Sequence, residues 1–353
     1  VKNPADIRLL LTSNKINKKG PQYSYMIPFI GPGILSGGPT WRNHRKIATP
    51  SYNKKSVQHF MRIFNDEAAD LARVLSKKEL ETFDVFYDVL HSTTQSVCQT
   101  LMGLSKSDSR NVAHLEEVMM NTQKVYKLIF DKMIRWWLQI PLIYWLSGAK
   151  KQEQYFTTLL DKFTADVVDK RRIALKTETP DEETMGIVDR YILSEELSEQ
   201  EIKWETFTLF TTSQEASAKI ASGVLMFLAH LPDWQEKVYK EILDVIGDEP
   251  VQEVHLKQLH YLDMVYKETL RYFPIAGLIQ RTVEEEITLN NGKFTLPVGT
   301  SLVIDIHEVH RDPKHWEEPF KVKPERFSPE EISKRDPNAF IPFSLGPMDC
   351  LGR

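Results

Sequence analysis

The chain has 353 residues, 41% of them apolar and 27% charged, enough to bury a large core and too apolar for an intrinsically disordered protein. Its 45 basic and 49 acidic residues leave a formal net charge of -4, which gives no electrostatic case for a nucleic-acid partner. Two cysteines, Cys98 and Cys350, are too few for a disulfide framework, so a reducing compartment is favoured. The nearest approach to a membrane span, residues 133–146, is too short and contains Arg135.

Taken in order, residues 5–12 predict a short helix, followed by a Gly/Pro-rich loop over 20–39 that contains Ile30-Gly-Pro-Gly-Ile34; loops of that length are commonly functional. Thr40 is placed to cap a helix opening Trp41-Arg-Asn-His-Arg45-Lys46, in which Trp41 and Arg45 share a face one turn apart. Read alone, this is an exposed basic helix. Helical periodicity recurs over 56–78, over 83–103, where Cys98 is a core residue, and over 112–146, which ends in the aromatic stretch from Trp136-Trp137 to Tyr144-Trp145. An amphipathic helix over 152–176 gives way to a solvated polar loop at 176–184. Ser198-Glu-Gln-Glu201 is a capping box, and 207–231 is a helix apolar nearly all round, stopped by Pro232, of the kind found at the centre of a large domain.

Two more amphipathic helices follow, 232–247 with a glycine stop and 259–272 ending before Pro274. The second contains Glu268-Thr-Leu-Arg271, whose opposite charges share a helix face and as a surface pair would contribute only about 0.5 kcal/mol. Strands over 285–289, 293–296 and 301–306, the first two joined by an Asn290-Asn-Gly292 turn, make up the only sheet-rich region. His310, in His310-Arg-Asp-Pro313, reads as a satisfied loop residue rather than a metal ligand.

The sequence ends in Phe340-Ile-Pro-Phe-Ser-Leu-Gly-Pro-Met-Asp-Cys-Leu-Gly-Arg353, a loop that presents Cys350 instead of packing it on a periodic face. Gly346 and Gly352 remove side chains on either side of the sulfur, Pro347 stiffens the approach and Phe343 can form an apolar lid, an arrangement suited to a thiolate that meets something flat, such as haem. The competing reading is a small hydrophobe in a terminal loop. The run from Phe343 to Gly352 resembles the cysteine-ligand loop of the cytochrome P-450 haem-thiolate monooxygenases. In that family the thiolate donates electron density to haem iron and favours O–O cleavage.

The resemblance covers essentially the whole chain and is closest to the microsomal family-4 clan, of an insect-like type. It implies a mainly α fold, helix-rich with a small β region, as a single haem-thiolate monooxygenase domain over residues 1–353. It implies Cys350 as the ligand to iron, with Trp41, Arg45 and Arg281 as haem-propionate contacts and Phe343, Gly346 and Met348 also at the haem. Met348 departs from the pattern, which has a basic residue there, and one propionate contact goes with it. Counting back from Pro232, the family's small-Gly-x-acid-Thr run falls on Thr212-Ser213-Gln214-Glu215-Ala216. The acid is kept as Glu215, the glycine is Ser213 and the alcohol is Ala216 with Ser217 beside it; Glu215, Ala216 and Ser217 are the candidate catalytic positions. Many family-4 members ester-link the haem through a glutamate where this chain has Thr212, so a haem that is not covalently linked is expected. Glu268 and Arg271, with Arg326 of Pro324-Glu-Arg326-Phe327, match the family's buried salt-bridge cluster, which bidentate geometry makes rigid.

The implied reaction places one oxygen atom from O2 in a small apolar substrate such as a fatty acid, hormone, odorant or xenobiotic. Electrons come from NADPH through cytochrome P-450 reductase, with cytochrome b5 as a further donor, and Arg42, Arg45 and Lys46 lie on the helix that docks the reductase. The implied location is the cytoplasmic face of the endoplasmic reticulum membrane, and the aromatic stretch after 133 is a candidate substrate or lipid contact. Val1 does not read as a natural start and Arg353 falls inside a recognisable loop, so a fragment is expected, without the amino-terminal anchor and without the helix that follows the cysteine. Two rivals stand beside this reading: a haem-thiolate isomerase or dehydratase that needs no O2, and a catalytically impaired ligand-binding relative.

Overall fold

Segments with apolar residues at helical spacing make up most of the chain, and a computed structural model, which describes residues 1–78, 82–289 and 292–353, is correspondingly dominated by helix. The expectation of a mainly α protein with a small β region holds. The contacts divide the chain into two units: Val1–Pro21, Val74–Leu90 and Ala216–Arg353 form one, and Gln22–Arg73 with His91–Glu215 form the other.

The first unit holds the sheets. Leu278–Thr282 runs antiparallel between Lys18–Lys19 and Ser301–Asp305, with Arg281 opposite Lys19 on one side and Leu302 on the other. Alternation along the strands turns Ile279 and Ile304 inward, where they join Ile7 and Leu11 of the Pro4–Thr12 helix, and Ile341, in one apolar cluster. Leu345 packs against that cluster, so the sheet supports the terminal loop. Ile287–Leu289 pairs with Phe294–Leu296; the predicted Asn290-Asn291 part of their turn lies outside the described residues, and Gly292 has the left-handed backbone such a turn uses (φ 94°). Trp234, Val238 and Val265 hold the Pro232–Val245 helix to the His260–Tyr272 helix.

The second unit holds the helices Trp41–Ala48, Leu115–Ile134, Ala149–Ala174 and Ile187–Ser194, and the Lys54–Ser76 helix as far as Arg73. Thr40 takes the N-cap position of the first, but its side chain makes no capping bond. The predicted run over 112–146 is not one helix. Leu115–Ile134 ends at an extended Arg135, and after a single 3-10 turn at Trp136–Gln139 a short helix, Pro141–Leu146, begins. Pro141 accounts for the second half of the break, because it has no N–H to continue the turn before it and keeps Ile140 out of helical geometry; the first helix has already ended at Arg135, six residues earlier.

The opposite difference occurs at the centre. The capping box and the apolar helix are one continuous 32-residue helix, Glu199–His230. Ser198 N–H donates to Glu201 Oε2 at 2.9 Å and Glu201 N–H donates to Ser198 Oγ at 3.3 Å, so both halves of the box form. Residues through Glu215 count with the second unit and those from Ala216 with the first.

Candidate active site

Cys350 is exposed, whereas Cys98 is fully buried and its burial pushes the thiol up to about 12, far from a ligating thiolate. The loop that carries Cys350 closes on itself: the Cys350 N–H donates to the Phe343 carbonyl at 2.9 Å and the Asp349 N–H to the Gly346 carbonyl at 3.1 Å. Gly346 has φ 75°, and a Cβ there would sit 2.0 Å from the Leu11 carbonyl oxygen. The glycine therefore answers first to the end of the Pro4–Thr12 helix, a constraint that the local sequence does not reveal. Ser344 also adopts a left-handed backbone, φ 63°. Met348 is buried in the short 3-10 turn Gly346–Met348 and has no charge to offer. Near the sulfur, the Tyr266 hydroxyl is pushed up, chiefly by burial, with the Asp263 and Cys350 charges adding to it.

The same unit assembles the predicted ion cluster. Arg271 Nε and Nη2 each donate to Glu268 at 2.7 Å, both side chains are fully buried, and Arg326 Nε lies 3.6 Å from Glu268 Oε1. Arg271 Nη1 also donates to the carbonyls of His310 and Pro319, and the Lys323 N–H donates to Glu268 Oε1, so the charges are satisfied from several segments. His310 is buried too. Its Nε2 accepts the Ile341 N–H at 3.0 Å, and burial, aided by the Arg271 charge, lowers its pKa to about 3. A ring committed in this way is structural. Arg281 is buried in the middle strand, with Nη1 donating to the Gln280 carbonyl at 2.9 Å.

In the second unit, Trp41 and Arg45 are half-buried on one face of the Trp41–Ala48 helix, with Arg42 and Lys46 exposed beside them. Glu215 is buried in the central helix next to the fully buried Gln214. Two hydroxyls from other helices reach backbone carbonyls around it: Thr93 Oγ1 donates to the Gln214 carbonyl at 2.9 Å, and Tyr126 OH reaches the Thr211 carbonyl at 3.1 Å and Thr211 Oγ1 at 2.6 Å. Tyr126 titrates higher than usual because of burial, against the Thr211 hydrogen bond and with the Glu215 charge adding. Thr212 Oγ1 donates to the Thr208 carbonyl at 2.7 Å. The helix is unbroken through this region, with Ser217 exposed and Ala216 half-buried. Tyr126, Thr93 and the buried pair His44 and Glu205 were not singled out in the sequence, since nothing in their local spacing marks them.

A family model described as Cytochrome P450 matches residues 3–353. The chain belongs to the cytochrome P450 family. Cytochrome P450 4V2 of Homo sapiens is 29% identical over 371 residues, covering 99% of this chain and 70% of the human protein. The Rattus norvegicus protein of that name is 30% identical over 368 residues (99% and 69%), and cytochrome P450 4c3 of Drosophila melanogaster is 29% identical over 379 residues (99% and 70%). Membership makes this P450 a haem-dependent monooxygenase in general terms. Its residues fit that cofactor: it presents one exposed thiol on a self-closed loop, and it keeps the other cysteine and His310 out of reach of a metal.

Proposed function

We propose that this P450 places one oxygen atom from O2 in a small apolar substrate, using electrons from NADPH delivered by a flavoprotein reductase. The observation that carries the reading is Cys350, exposed and fixed by the Phe343 carbonyl in a loop that the fold supports through Leu345. Haem supplies the oxygen chemistry, and a thiolate ligand strengthens it by donating electron density. In this reading Cys350 Sγ ligates the iron, Trp41, Arg45 and Arg281 hold the propionates, and Phe343 and Gly346 shape the ligand side. Met348 packs there without pairing a propionate. Glu215 holds and passes a proton through water, as the Ala216 position has no hydroxyl. The Thr212 hydroxyl is engaged within its own helix and leaves the haem unlinked.

Exposed Arg42 and Lys46 offer a cationic face to the reductase or to cytochrome b5. The exposed side chains of Trp136, Leu142, Trp145 and Leu146 suit contact with the endoplasmic reticulum membrane surface. The deciding experiment is a reduced-CO spectrum of the haem-loaded protein, followed by product measurement with NADPH and reductase. The thiolate-type band is expected in the wild type and absent from Cys350→Ser. A wild type without that band would overturn the assignment of Cys350. Ala216 favours one second reading, an O2-independent isomerase or dehydratase, which would form product without NADPH.

A further inference from the structure

Between the first helix and Trp41, the second unit contains a small closed lobe. Gly33 and Gly37 exchange backbone hydrogen bonds at 2.9 and 2.8 Å, and Ser36 Oγ donates to the Gly31 carbonyl at 2.7 Å. One atom of the central helix ties this lobe down. Glu205 Oε1 accepts the Ile34 N–H at 2.8 Å and lies 2.7 Å from His44 Nδ1, with the His44 and Glu205 side chains 2% and 1% exposed. A carboxylate oxygen only accepts, so opposite it the His44 ring presents its proton on Nδ1. Among the described residues Glu205 Oε2 has no hydrogen-bond partner, so all the hydrogen bonding runs through Oε1. Gly33 is pressed against the same atom, because a Cβ there would lie 1.9 Å from Glu205 Oε1.

These contacts converge on the Trp41–Ala48 helix. Thr40 does not cap it; the Trp41 N–H donates instead to the Gly38 carbonyl at the end of the lobe, at 3.3 Å. His44 stands between Trp41 and Arg45 in the sequence and points to the buried side, with Tyr191 edge-on at 6.3 Å and Glu201 Oε1 3.7 Å from its Nε2. The start of the helix is thus set through the lobe and its middle through His44, and both routes end at Glu205 Oε1.

We propose that Glu205 is a positioning residue whose Oε1 sets where the Trp41–Ala48 helix lies against the central helix, and so determines how firmly Trp41 and Arg45 hold the haem propionates. The proposal rests on the assignment of Trp41 and Arg45 made above. It is tested on the haem-loaded protein by the rate of haem transfer to apomyoglobin, together with hydrogen exchange at the Ile34 amide. Glu205→Ala should speed haem transfer by about tenfold and strip protection from Ile34, because two hydrogen bonds to a buried carboxylate are lost. Gly33→Ala keeps the carboxylate but displaces it, and should act in the same direction. Glu205→Gln keeps an acceptor oxygen and should stay close to wild type.

Haem transfer unchanged in both Glu205→Ala and Gly33→Ala overturns the proposal, as does a Glu205→Gln variant as fast as Glu205→Ala. If Glu205→Ala fails to fold, Gly33→Ala and Glu205→Gln still decide. Arg45→Ala separates the two levels: if it leaves transfer unchanged, the propionate assignment fails, whereas fast transfer in Arg45→Ala with slow transfer in the Glu205 variants removes only the positioning role.

Discussion

His310 holds a proton-sensitive position in the first unit without taking part in chemistry. Buried, with Nε2 accepting the Ile341 N–H and the Arg271 guanidinium nearby, it stays neutral in the folded protein down to about pH 3, while the unfolded chain takes up a proton near 6.5. Between those values the unfolded state binds the extra proton, so stability falls as pH falls, by up to ~1.4 kcal/mol per pH unit from this group. His310→Gln should be less stable at neutral pH and lose stability less steeply below pH 6.5, which urea unfolding between pH 4 and 7 would measure. Equal slopes in the two proteins would mean that His310 titrates normally. Single residues were legible in the sequence when their neighbours carried the signal. Glu268 and Arg271 share a helix face, and Arg326 follows in a recognisable turn. Cys350 stands in a loop with no periodicity to bury it. His44 and Glu205, by contrast, are 161 residues apart, and no local pattern joins them. Gly346 was legible as a glycine, but its reason, the Leu11 carbonyl, lies at the far end of the chain.

The central helix carries the proposed proton path, and its regularity decides what its side chains can do. In an α-helix, neighbours are turned by about 100°, so the Ser217 hydroxyl should not point where one at Ala216 would. In the proposed path Glu215 then acts through water, and part of the NADPH consumed should appear as hydrogen peroxide. Ala216→Thr should raise product formed per NADPH severalfold, since a positioned proton donor is worth far more than a diffusing one, and Ser217→Ala should change it little. NADPH, peroxide and product measured in one assay give the answer; loss of coupling in Ser217→Ala would move the hydroxyl role to Ser217. At this scale the sequence misjudged extents more than types. Periodicity joined 112–146 into one helix because Trp136, Leu138 and Tyr144 keep an apolar rhythm through the break between Ile134 and Pro141. It separated Ser198-Glu-Gln-Glu201 from 207–231, although the capping box opens the long helix directly.

Across the whole molecule, net charge is small and, among the described residues, no helix is long and apolar enough to cross a membrane; local apolar surface is a separate route to contact with a bilayer. Such a surface lies at and just after the break between Ile134 and Pro141: Trp136 is 68% exposed, Trp145 66% and Leu142 63%. It is braced from beneath. Tyr144 is buried, its hydroxyl donates to Glu153 Oε2 at 2.9 Å, and Lys132 Nζ lies 4.0 Å from its ring centroid and 3.6 Å from Glu153. A braced apolar surface loses little conformational entropy when it is covered. Each exposed Trp that enters the interfacial region is worth ~3 kcal/mol at about 25 cal/mol per Å². With about half of the resulting ~6 kcal/mol realised at the interface, the Trp136→Ser, Trp145→Ser double variant should bind neutral phosphatidylcholine vesicles about 100-fold more weakly than wild type, with little dependence on salt. Cosedimentation with vesicles measures this, and circular dichroism confirms that the variant is folded. Unchanged partitioning would remove the lipid role; a raised KM with partitioning intact would assign the same two tryptophans to the substrate instead.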